Sequence, residues 1–236
     1  FFKQKTAYEI YQCDWSSDVC SSDLVGGASA IVSDMTPRQV WFGVRVAART
    51  AADRALDAAR RWRVPVRHVT AGEAVRWGDV TVRVLNPPTP DWERRRVRND
   101  DSVVLDVRYG DVALLLTGDI SAEVERSLIP RLGVASVRVL KVAHHGSWTS
   151  TSAELLESWR PQIGVISAGR RNPFGHPTPE VMARLRATGV RVFRTDEDGE
   201  VTIDTDGRDV SVTTYSGERF TCCQRASSSS SVASWR

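Results

Sequence analysis

Three of the four histidines in this 236-residue sequence stand in short contexts that could bind a cation or move a proton. Leu140-Lys141-Val142-Ala143-His144-His145-Gly146-Ser147 carries an apolar run into two adjacent imidazoles. Neighbours on an extended chain point to opposite sides, so one of the pair is expected to face a given pocket and the other to support it, unless Gly146 twists the backbone. Asn172-Pro173-Phe174-Gly175-His176-Pro177 holds the third. A residue before proline is confined to extended backbone and Gly175 lets the chain turn, so His176 is expected on a stiff, prearranged loop. Leu115-Leu116-Thr117-Gly118-Asp119 runs a strand into an acid, which reads either as a plain turn or as a carboxylate presented at a sheet edge as a metal ligand. His68, inside the strand-like Val64 to Val69, reads as structural.

The elements that must position these groups alternate in period. Strand-like runs fall at Val40 to Val44, Val64 to Val69, Val80 to Leu85, Ser102 to Tyr109, Val112 to Thr117, Val134 to Ala143 and Ile163 to Ser167. Shorter ones follow at Val190 to Arg194, Glu200 to Ile203 and Val210 to Thr214. Helical spacing marks Arg45 to Trp62, Ser121 to Ile129, Ser152 to Trp159 and Glu180 to Ala187, the last behind Pro179. Tyr109-Gly110-Asp111 between two apolar runs is a hairpin signal. Strands this apolar want cover on both faces, and hairpins mixed with helix crossovers predict a layered α/β domain of mixed sheets flanked by helices.

Composition bounds the rest. At 41% hydrophobic and 26% charged the chain is a globular sequence, which excludes disorder and collagen-like repeats. No apolar window reaches the ~18 residues a membrane-crossing helix needs, so the segment itself is expected to be soluble and to make no membrane contact. The net charge of +3 rests on arginine: Lys3, Lys5 and Lys141 are the only lysines. That excess is compatible with a polyanionic partner without arguing for one.

Residues 1–24 differ from the rest of the chain, with two of the four cysteines, two of the three lysines and no arginine. Lys3 to Ile10 and Asp14 to Leu24 back-translate into strings that resemble a sequencing primer and its adapter. The segment therefore reads as a non-native leader outside the fold, with the domain over residues 25–217. Without it, the only cysteines are the vicinal Cys222 and Cys223, and a core without disulfides or cysteine-held metal is expected. Residues 218–236, which include Ser227 to Ser231, read as a flexible tail.

Taken in order, Asn99-Asp100-Asp101-Ser102, Leu116-Thr117-Gly118-Asp119, His144-His145-Gly146-Ser147 with Ser150, Gly175-His176-Pro177, and Arg194-Thr195-Asp196 with Gly199 form a run that resembles one known family. It is similar to the C-terminal metallo-β-lactamase-like domain of the ComEC family of competence proteins, over about Val25 to Gly207. The resemblance implies an αββα sandwich, here partial, with two metals at one sheet edge. It implies phosphodiester hydrolysis in a membrane-embedded DNA-uptake protein of bacteria, this domain lying outside the cytoplasm. It further implies Asp119 as an acidic ligand shared between metals and as part of the catalytic pair with His145, and His144 and His176 as imidazole ligands. Asn99, Ser102 and Ser147 would line the site. Carboxylate and neutral imidazole suit zinc or manganese.

The family pattern also places an H-x-H-x-D-H motif ahead of a Gly-Gly pair. Val25-Gly26-Gly27 matches that pair, whereas residues 1–24 hold no histidine at all. The chain as written is thus expected to be inactive and to bind metal weakly, since first-sphere bonds have no substitute. Arg94, Arg95, Arg96 and Arg98, just before the Asn99 motif, read as a solvated surface run or as contacts to a DNA backbone without sequence preference. Arg170 and Arg171 form a second such pair. Two other readings stay open: a stand-alone hydrolase of a small ester or phosphoester, and a non-catalytic module with this fold.

Overall fold

The computed structural model describes residues 28–44, 51–89 and 98–222. The leader, Arg94 to Arg96 and the Ser-rich end lie outside them. The secondary structure runs α1 (Ala28–Met35), β1 (Val40–Phe42), α2 (Ala51–Arg61), β2 (Val66–His68), β3 (Ala74–Trp77), β4 (Val80–Asn86), β5 (Val104–Tyr109), β6 (Val112–Leu116), α3 (Ala122–Leu128) and β7 (Val137–Lys141). It continues with α4 (Ala153–Trp159), β8 (Ile163–Ile166), α5 (Pro179–Ala187), β9 (Arg191–Arg194), the single turn α6 (Thr195–Asp198), β10 (Val201–Thr205), β11 (Val210–Thr214) and β12 (Arg219–Cys222).

β3 to β9 form one seven-stranded sheet in sequential order. β3 to β6 pair antiparallel, and β6 to β9 pair parallel through crossovers that contain α3, α4 and α5. Alternate residues of these strands feed two different cores, as the period of two demands. Leu115, Leu140 and Ile166 pack with Leu128 of α3, Leu155, Leu156 and Trp159 of α4, and Val181 and Leu185 of α5. Val137, Val139, Ile163 and Phe193 pack instead with Val210, Val212 and Cys222 of the small β10-β11-β12 sheet. Farther along the same face, Val82, Val84 and Leu105 meet Trp41 and Val69, from and beside the parallel pair β1-β2. α1 and α2 cover that pair through Val32 and Ala59. The result is a partial αββα sandwich of mixed sheets flanked by helices, as expected.

Gly110 is required twice over: its φ of 55° is left-handed, and a side chain there would run into the Gly207 carbonyl of the β10-β11 turn. The Asp111 amide donates to that same carbonyl at 2.7 Å, which pins the β5-β6 hairpin to the small sheet. α4 starts on a buried cap. Ser152 accepts from the Leu155 amide, and the Glu125 carboxylate of α3 accepts from the Thr151 and Ser152 amides at 2.6 and 2.7 Å. Behind it, Leu155 and Leu156 are essentially excluded from water, each worth about 2 kcal/mol.

Two expectations need correction. The tail does not begin at 218, because Arg219–Cys222 pairs antiparallel with β11, burying Cys222 and partly burying Phe220 between the sheets. Cys222 is also disulfide-bonded, so the domain is not disulfide-free. In addition, α1 and the exposed edge strand β3 have no counterpart in the sequence reading, since neither shows a sustained apolar period.

Candidate functional site

The parallel half of the sheet sends the chemistry to one edge. Asp119 follows β6, His144 and His145 follow β7, Ser167 follows β8, and His176 lies in the loop from β8 to α5. The carboxyl ends of parallel strands are where open α/β sheets bind ligands, because crossover loops and helix starts converge there. β5 runs the opposite way, so the Asn99–Asp101 turn that precedes it reaches the same edge.

The two adjacent histidines break the extended-chain expectation. His144 (φ 50°, ψ 44°) and His145 (φ 55°, ψ 17°) are both left-handed, so the chain coils and both imidazoles stay on the site side. Their ring centroids are 6.4 Å apart, and His144 lies 5.9 Å from His176. Two consecutive left-handed residues cost roughly 2–4 kcal/mol, which the surroundings must offset. The His144 amide donates to the Gly118 carbonyl at 3.0 Å, the Ser147 amide to the His144 carbonyl at 2.8 Å, and the Ser150 hydroxyl to the Ala143 carbonyl at 2.9 Å.

Asp119 is 2% exposed, and neither carboxylate oxygen has a hydrogen bond. Its Oδ1 faces His145 Nε2 at 3.7 Å and Lys141 Nζ at 4.0 Å. His145 Nδ1 sits 2.7 Å from the Ser167 carbonyl, a contact it can make only as a donor. Nε2 is then the ring nitrogen on the Asp119 side. His144 is engaged differently, with Nε2 3.3 Å from Asn99 Nδ2 and Nδ1 3.5 Å from Thr149 Oγ1. His176 is gripped by its backbone, its amide donating to Asn172 Oδ1 while Asn172 Nδ2 donates to its carbonyl, and its Nδ1 is buried without a hydrogen bond. Burial holds the pKa of both His144 and His176 below the ordinary imidazole value, the neighbouring histidines adding to the effect and Asp119 opposing it. Both are therefore favoured in the neutral form that offers a lone pair.

Other expected residues serve as framing. Ser102 Oγ accepts from the Asp119 amide at 3.1 Å, and Asp100 Oδ1 accepts from the Ser121 amide, which straps the Asn99 turn over the Asp119 loop. Ser147 is buried and contacts Thr149 Oγ1, one step removed from His144. Thr195 of the Arg194-Thr195-Asp196 run bonds both the amide and the carbonyl of Ala168, steadying the strand end that receives His145. Arg98, Arg170 and Arg171 are exposed, and Arg94 to Arg96 fall outside the described residues. His68 is exposed on β2.

Sequence reasoning missed Lys141, Thr149 and Ser167. Lys141 is buried, donates to the Gly118 carbonyl at 3.2 Å, and has its pKa lowered by desolvation against the opposing pull of Asp119. A signal was available: Lys141 is the only lysine after residue 24, at the end of a strand.

These donor types fit a divalent cation, and the orphaned, buried Asp119 carboxylate is the group such an ion would satisfy. The number does not fit. Among the described residues no three His, Cys, Asp or Glu side chains are placed to hold one ion, so Asp119, His144 and His176 gather at one edge without forming the expected ligand set.

Sequence comparison bears on what the site belongs to. Over 149 residues, 63% of this chain, it is 34% identical to ComE operon protein 3 of Bacillus subtilis. It is 39% identical over 125 residues to competence protein ComA of Neisseria gonorrhoeae, and 38% over 135 residues to recombination protein 2 of Haemophilus influenzae. Its relatives by sequence are ComEC-family competence proteins. The chain spans less than a fifth of the length of these ComEC relatives, at 19%, 18% and 16%. No family profile matches it. Among solved structures, CmlA, a diiron β-hydroxylase from Streptomyces venezuelae, is 14% identical with a TM-score of 0.41 over 58% of this chain and 35% of that one. A protein assigned as a metal-dependent hydrolase from Parabacteroides distasonis is 13% identical, TM-score 0.38, over 59% of this chain and 61% of that one. These likenesses are distant, and the architecture stands on its own topology.

Proposed function

We propose that this chain carries part of a metal-dependent phosphodiesterase domain that acts on DNA in a ComEC-type uptake protein. The observation that supports this most directly is the buried Asp119 carboxylate, without a hydrogen bond, at the strand edge where three imidazoles gather. A buried carboxylate left without a hydrogen bond is costly, and a bound cation would offset that cost. In the parent, zinc or manganese would activate water and stabilise the leaving oxygen. In this chain Asp119, His145 and His176 are the groups offered to a metal, His144 is held between Asn99 and Thr149, and the Lys141 amine sits 4.0 Å behind Asp119. The parent would sit in the bacterial membrane with this domain outside the cytoplasm.

The chain as written is inactive on this reading, because three gathered histidines and one carboxylate are too few for two metals. Metal stoichiometry, with degradation of single- and double-stranded DNA, tests it. Weak binding and no cleavage are expected here, and a chain supplied with an H-x-H-x-D-H segment ahead of Val25 is expected to gain both. Asp119→Ala in that chain removes both again. Two tightly bound metals and robust cleavage by the unaltered chain would overturn the ligand assignment.

A further inference from the structure

Two large aromatic rings stand in solvent beside the Asp119 edge. Trp148 is 68% exposed and follows the His144 turn directly; Phe174 is 61% exposed and stacks on His176 with ring centroids 6.0 Å apart and planes 20° apart. Neither hangs on a loose segment. Arg184 Nη2 donates to the carbonyls of Trp148 and Ser150, and Asn172 Nδ2 donates to the Gly169 and His176 carbonyls. The Thr178 amide donates to the Gly146 carbonyl at 2.9 Å, which ties the two loops together. Charge is one-sided as well. The segments from Val142 to Ala153 and from Ser167 to Pro179 contain no Asp or Glu, while Arg170 and Arg171 are exposed on the second. Exposed π-faces, with Arg170 and Arg171 in the same loop as Phe174, suit a polyanion whose bases are free to stack, which a duplex does not offer.

We propose that Trp148 and Phe174 form a base-stacking rim that holds an unpaired nucleic-acid strand across the mouth of the Asp119 site, a binding role that rests on the phosphodiesterase reading. The rim recognises base faces rather than base identity, with Arg170 and Arg171 on the backbone.

The test is fluorescence anisotropy of the full chain with a labelled oligothymidylate in a chelating buffer, where neither metal nor cleavage contributes. Trp148→Ala and Phe174→Ala should each weaken binding about tenfold, Trp148→Phe should restore most of it, and Tyr215→Ala, at an exposed ring in the β11-β12 turn, should change nothing. An abasic oligomer of equal length should bind the parent chain no better than oligothymidylate binds the double alanine variant. Equal competition by oligouridylate marks a rim blind to the sugar, and a deoxyribose preference restricts the strand to DNA; either supports stacking. No binding by the parent chain, tighter binding of duplex, or parent affinity in both alanine variants overturns the rim. Cleavage by the motif-supplied protein is read separately, so failure of the rim and failure of the phosphodiesterase reading are distinguishable.

Discussion

His144 and His145 are adjacent in the chain and unequal in the site. The Ser167 carbonyl fixes the His145 proton on Nδ1 and turns Nε2 toward Asp119, whereas His144 already has a neighbour at each nitrogen. Of the two, His145→Gln is therefore expected to cost more divalent-cation affinity, about tenfold or greater by zinc or manganese titration. Equal losses would return His144 to the ligand role the family resemblance implies. The imidazoles also set a pH dependence. His144 and His176 have pKa values lowered in the folded state, first by burial. Such groups bind fewer protons folded than unfolded, so their contribution is complete above the ordinary value of about 6.5 and is lost as pH falls through it toward the folded values. The thermal midpoint should fall on acidification below about pH 6.5, and the double variant His144→Gln/His176→Gln should show a flatter profile. An unchanged slope in that variant would assign the acid sensitivity elsewhere.

Between elements, the decisive join is α3 to α4. Glu125 is fully buried and accepts from the Thr151 and Ser152 amides, so one carboxylate on α3 caps α4 and holds the strained turn that follows β7. Burial raises its pKa, with those hydrogen bonds opposing. Glu125→Ala strands two buried amides and should destabilise by about 2–4 kcal/mol in denaturant titration. A change under about 1 kcal/mol would mean that water takes over the cap. Most of these elements were legible in advance. β6 to β9 announce themselves as apolar runs and α3 to α5 as helical spacing bounded by Ser121, Ser152 and Pro179. β3 was not, since Ala74–Trp77 has one face in water and lies at the sheet edge. Nor was β12, whose Arg-Phe-Thr-Cys carries two apolar residues and becomes a strand only because β11 offers a partner.

For the whole molecule, the second sheet depends on its last strand. Phe220 and Cys222 close the cluster that includes Val137, Val139, Phe193 and Val212, while Arg191 lies over the Phe193 and Phe220 rings. A chain ending at Gly217 should lose about 3 kcal/mol of burial, a midpoint drop of roughly 5–10 °C. Deleting residues 1–24 should leave the midpoint unchanged, since their one apolar cluster, Tyr8, Ile10 and Tyr11, has no sustained period. The opposite ranking in calorimetry would place the domain's boundaries differently.

Residue order alone settles the layered α/β class, the hairpin at Tyr109-Gly110-Asp111, the strand ends that carry Asp119 and His144-His145, and the loop that carries His176. Those are matters of local physics: side-chain period, turn chemistry and the types of atom that hold cations. That both adjacent histidines face one site is settled only in three dimensions, because left-handed backbone at His144 and His145 is stabilised by the Gly118 carbonyl and the Ser150 hydroxyl, neither of which the local sequence predicts. The same holds for Asp119, left without a hydrogen bond, and for Lys141, buried beside it. Such groups are set by what the surrounding strands fail to provide, and that depends on contacts between segments far apart in the chain.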